Sequence, residues 1–233
     1  MPRVDYRAGV MPDPLSLLPL AVAAAGGRLD GCEAAALVAA GHTLLQRTAP
    51  LVRALTGRRS AILLPPGPAF LVALAASDGR GALWLDPASS RVDLERQVRD
   101  AGVGAVFSVS TLLSRRPTDL PIVWLDDVPR AAHLDVGDVS RPVDLGNHFG
   151  LSLEGERGAV GRNEECLLEW PPGAPAPTGH THRTLLDAAR QIVADRKLTP
   201  LHVTAWTGST PSLDSLVGRC LAPLLAGGTV VTA

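Results

Sequence analysis

The sequence predicts an α/β protein: a parallel sheet with helices on both faces. Apolar runs of strand length alternate with helical patterns at short spacing over residues 28 to 126, and the rhythm returns from residue 164. The apolar share of 46%, the charged share of 19% and a formal net charge of −1 fit a packed globular chain and not a disordered one. A chain of 233 residues buries enough surface for one large domain or two small ones.

Residues 1–27 read as an N-terminal extension. MPRVDYRAGVMPDP lacks the charged-then-apolar form of a signal peptide, and the apolar stretch Leu15 to Ala25 is too short to span a bilayer and carries Pro19. Residues 32–55 are rich in Ala and Leu at helical spacing, with Pro50 predicting a kink or split. Ala61 to Leu64 is a buried strand stopped by Pro65-Pro66-Gly67. A helix follows over Phe70 to Ser77, opened near Pro68, whose fixed φ suits a first turn. GALWLDP is a strand ended by Asp86-Pro87. Ser89 or Ser90 caps the helix VDLERQVRDAG, and Gly102 suits its C-terminal end. GAVFSV and PIVWLDD are two more strands.

Residues 28–126 thus form a first α/β unit. Residues 127–163 are polar with weak periodicity and read as a connecting region, with one or two short strands around LGNHFGLSL. Residues 164–233 begin a second unit: a strand over Cys166 to Trp170, a loop, a helix from about His182 to Arg196, the strand LHVTAW, a helix over Leu213 to Leu225 and the strand GGTVVTA.

Composition also excludes. A near-zero charge gives no long-range pull toward nucleic acid or anionic membrane, and 3% aromatics leave little for base stacking. Cys32, Cys166 and Cys220 are far apart and odd in number, which argues against a zinc knuckle or disulfide framework and fits a reducing cytoplasm. Lys197 is the single lysine, so a mechanism that needs one has one candidate. No G-x-S-x-G elbow accompanies Ser209, Ser212 and His202, so a hydrolase is not indicated. His180 and His182 form an H-x-H pair, but Asp187 is the only carboxylate nearby in sequence, too few ligands for a metal. The acidic pairs Asp126-Asp127 and Glu164-Glu165 stand at strand ends and read as solvated loop charges.

The loop Pro171 to Gly179 carries the functional question. A strand, a Gly-containing loop and a helix are the ordinary frame for phosphate binding, in which several backbone N–H groups point into one concavity before a helix N-terminus. Gly179-His180-Thr181 stands where a P-loop has G-K-[ST], but Ala174 occupies the first glycine position and His180 replaces the lysine. Four of the nine loop residues, Pro171, Pro172, Pro175 and Pro177, have no N–H to donate.

Five segments in order resemble the adenylate-forming superfamily of acyl-CoA synthetases, amino-acid adenylation domains and luciferases. RLDGCEAA is similar to its L-T-Y-x-E-L opening, and SAILLPPGPAFLVALAA to its V-A-I-L-L-P-N-S-P-E-F segment. GALWLDPASSRVDLERQVRDAGVGAVFS resembles G-A-x-Y-V-P-L-D-P with the following helix and strand. HTHRTLL resembles T-H-x-N-L-L, and CLAPLLAGGTVV resembles P-L-L-x-G-x-x-V-V. The resemblance implies a layered, Rossmann-like sheet matching the first half of that family's N-terminal domain.

PPGAPAPTG takes the place of the family's S-S-G-T-T-G-x-P-K-G loop, so the resemblance assigns a degenerate phosphate loop to Gly173, Pro177, Thr178, Gly179, Thr181 and His182. Thr178 stands at the lysine position. The histidine that borders the family's acyl pocket has no counterpart in TAWTGSTPS. The resemblance stops before the family's adenine, magnesium and ribose segments and its catalytic lysine. It therefore implies a truncated chain with no catalytic residue and no metal ligand, and no adenylation activity alone. ATP and magnesium would enter only if a partner chain completed the fold. An incomplete sheet predicts an exposed edge and apolar face, hence a homo-oligomer or a partner protein, either a ligase remainder or a carrier protein.

Overall fold

The computed structural model describes residues 17–48, 59–77, 81–115, 117, 120–146, 165–171, 174–208 and 212–232. In chain order the elements are α1 (Leu17–Ala24), β1 (Arg28–Leu29), β2 (Cys32–Glu33), α2 (Ala34–Thr48), β3 (Arg59–Ile62), α3 (Pro68–Ala76), β4 (Ala82–Trp84), α4 (Arg91–Asp100), β5 (Val103–Ser108), a 3-10 segment (Ser110–Arg115), β6 (Ile122–Asp127), β7 (Ala131–Val136), β8 (Val139–Asp144), β9 (Glu165–Glu169), β10 (Thr178–Thr181), α5 (His182–Arg196), β11 (Val203–Trp206), α6 (Leu213–Ser215), a π segment (Leu216–Leu221), α7 (Ala222–Leu225) and β12 (Thr229–Thr232).

The strands form two sheets. The larger has the order β10-β9-β4-β3-β5-β6-β7-β8, the smaller β11-β12-β1-β2. In the larger sheet β9, β4, β3, β5 and β6 run parallel, and β10, β7 and β8 add antiparallel strands at its two ends. The predicted α/β class is the observed one.

The sequence signals that placed the first helices act locally. Pro68 occupies the first turn of α3. The Ser90 hydroxyl accepts the Asp93 N–H at 3.2 Å and caps α4. Gly102, at φ 66°, ends that helix in a conformation that suits glycine. α4 is amphipathic and buries Leu94 and Val98 against Ala61, Leu63, Leu83 and Leu85 on one face of the larger sheet.

α3 is different. Its sequence, PAFLVALAA, is apolar all round, and every residue from Phe70 to Ala76 is buried. α2 lies against it closely enough that a Cβ at Gly41 would strike the backbone at Val72 and Ala76. The Phe70 ring touches both sheets, 4.8 Å from the Trp84 ring of the larger and 5.5 Å, edge-on, from the Trp206 ring of the smaller. Both separations fall in the range aromatic pairs prefer. One continuous core therefore runs from the larger sheet through α2 and α3 to α5, the π segment and the smaller sheet.

Several elements differ from the sequence reading, each for a long-range reason. The stretch read as an N-terminal extension contains α1, whose Leu18 and Val22 enter the core. β1 and β2 join the smaller sheet, where Arg28 and Leu29 pair with Thr229 and Val230. β9 inserts beside β4 in the larger sheet. The sheets thus cut across the chain segments 28–126 and 164–233. The region read as a connection with weak periodicity holds the hairpin β7–β8, whose edge strand is exposed apart from Val143 and so shows no strong apolar alternation. Pro142 in that edge strand withholds a ladder donor. Leu145 and Gly146 are not in a strand, and the rest of LGNHFGLSL, like Pro50, lies outside the described residues.

The helix expected over Leu213 to Leu225 widens to π geometry at Leu216–Leu221, with Ala222 N–H donating to the Val217 carbonyl. Pro223 supplies the cause. It has no N–H, and its ring crowds the carbonyl four residues back. At the turn between β1 and β2, Asp30 (φ 47°) accepts the Thr232 N–H at 2.7 Å and its hydroxyl at 2.5 Å, tying β12 to the opening of the described chain.

Two measurements probe this core. In chemical denaturation, Phe70→Ala is expected to cost about 3–5 kcal/mol, against under about 0.5 kcal/mol for Val92→Ala, because Val92 is 75% exposed. Equal costs would refute the central role of Phe70. Burial also pushes the Cys220 thiol well above its usual range. The unfolded chain then ionises first, so this stability is complete at neutral pH and is lost above a pH of about 8.5. A plot of denaturation midpoint against pH should fall less steeply above pH of about 9 in Cys220→Ala.

Candidate functional site

The candidate phosphate loop joins β9 to β10 in an antiparallel hairpin. Thr178 lies opposite Glu169, Gly179 opposite Leu168, His180 opposite Leu167 and Thr181 opposite Glu165. The expected order of strand, loop and helix therefore needs a correction, since β10 stands between the loop and α5. Four extended residues separate them by about 13 Å. The positive end of α5 lies toward the Glu165 end of the hairpin, away from the loop. Its attraction falls off within the first turn and does not reach.

The donors of the loop are few. Pro171, Pro175 and Pro177 have none, the Ala174 N–H donates to the Pro171 carbonyl at 3.0 Å, and Ala176 remains. Pro172 and Gly173 lie outside the described residues. Trp170 braces the turn by donating from Nε1 to the Ala174 carbonyl at 2.9 Å. The Arg96 guanidinium stands 5.8 Å from the centre of the Trp170 ring.

Gly179 is explained by packing. It lies in an extended strand, and an added Cβ would meet the Glu165 carboxylate. Arg59, at the start of β3, holds that carboxylate by an ion pair of 2.5 Å. The remaining predicted residues divide between exposure and structure. Thr178 is exposed and Pro177 half-buried. The Thr181 hydroxyl accepts the Thr184 N–H at 3.1 Å while the Thr184 hydroxyl accepts the Thr181 N–H at 3.0 Å, a reciprocal cap that starts α5. His182 is 1% exposed in the first turn of α5.

Sequence reading missed Arg59 and Glu169. One Glu169 carboxylate oxygen accepts the Leu213 N–H at 3.3 Å, at the start of α6, and the other lies 3.8 Å from His180 Nε2. Glu169 stands at the loop end of the hairpin, while Glu165 lies at the far end and is paired with Arg59. The local charge therefore opposes a phosphate. An arginine immediately before a buried strand and a glutamate at each end of another were the available signals, but nothing local joined them. Among the described residues no cluster of three or more His, Cys, Asp or Glu could hold a metal. Among them, too, no helix is long and apolar enough to cross a membrane.

The Gly179 contact is testable. Gly179→Ala should destabilise by no more than about 0.5 kcal/mol, because the atoms it meets end a flexible, partly exposed glutamate that can swing aside, and that penalty should vanish in a Glu165→Ala background. The Arg59–Glu165 pair is itself 40% and 38% exposed, so it contributes little beyond this steric effect. An unchanged penalty in the double variant would remove Glu165 as the cause.

No protein-family model and no curated protein matches the sequence. Solved structures do match. A nonribosomal peptide synthetase, FmoA3, in its alpha-methyl-L-serine-AMP bound form superposes with a TM-score of 0.65 at 18% identity, covering 95% of this chain and 24% of its own. VinN, solved with 3-methylaspartate, gives 0.66 at 17% identity, covering 95% of this chain and 62% of its own. MatB from Rhodopseudomonas palustris gives 0.64 at 15% identity, covering 92% of this chain and 44% of its own. The chain thus spans less than two thirds of each of these adenylate-forming enzymes, and what it shares with them is the fold.

Proposed function

We propose that this chain carries the adenylate-forming fold without adenylating on its own, and serves as a binding or partner subunit in acyl or carrier-protein metabolism. The observation that carries this reading is the loop. A triphosphate needs several converging amides, a helix end or a cation, and catalysis at phosphorus is mostly positioning and charge neutralisation. Here prolines remove the amides at 171, 175 and 177, β10 separates the loop from α5, and Glu169 brings negative charge to the loop end of the hairpin.

The partner half of the proposal rests on the smaller sheet. Its strands β11, β12 and β1 are parallel, and parallel sheets ordinarily bury both faces. Yet Val203 is 69% exposed and Val231 39%, with Leu201 beside them at 91%. A second copy of the chain or another protein would cover them.

A second reading is that the chain is one piece of a split ligase that makes an acyl-adenylate once another polypeptide supplies the remaining parts. The fold shared with VinN and MatB supports it. In that reading ATP and magnesium bind only to the completed assembly.

Pyrophosphate exchange separates the two. The isolated chain should exchange no label from pyrophosphate into ATP with any carboxylate, and calorimetry should show no ATP binding tighter than about 1 mM, the affinity of a few weak contacts. Exchange by the chain alone would refute the first reading. Exchange only after adding a co-expressed partner would establish the second.

A further inference from the structure

We draw no further inference here: the strongest candidate, the open face of the smaller sheet along its edge strand β11, where Val203 and Val231 are exposed beside Leu201, belongs to the partner surface already described, and nothing in the structure shows what covers it.

Discussion

The Phe70 ring holds the molecule together. It sits on a helix buried on all sides and presses on Trp84 in one sheet and Trp206 in the other. Each sheet has the same need, an apolar face that must leave water, and a helix such as α3 can meet both only by being apolar around its full circumference. The close approach of α2 at Gly41 follows from the same constraint, because two helices must share the space between the sheets. Few positions combine so much buried area with contacts to so many elements. A chain with so few aromatics concentrates three of them here.

The hairpin β9–β10 hangs from this frame. β9 is fixed by β4, and β10 is fixed by β9. Glu165 and Glu169 then become structural, one held by Arg59 over Gly179 and the other capping the start of α6. The Glu165 carboxylate lies across Gly179. The hydroxyl of Thr181, which reads as a phosphate contact, is committed to starting a helix.

Two of the four edge strands, β8 and β11, are treated differently. β8 carries Pro142 and charged neighbours, which discourage pairing with another chain. β11 carries no such guard, and its exposed valine stands beside an exposed leucine. The contrast leaves β11 with the less guarded edge of the two.

The sequence determined what depends on neighbours in the chain. Pro68 opened α3, Ser90 and Gly102 bounded α4, and the Thr181 region placed α5 at His182–Arg196, since caps and turns are satisfied within a few residues. The apolar runs likewise marked β3 to β6, β9, β11 and β12. Tertiary structure alone decided the rest. β10 is a polar strand, TGHT, recognisable only from its pairing with β9. The exposed edge strand β8 and the two-residue strands β1 and β2 carry too little periodicity to be read. Arg59 meets Glu165 across 106 residues and Asp30 meets Thr232 across 202. Such contacts exist because the core brings strands together, and no local pattern encodes which distant charge will arrive.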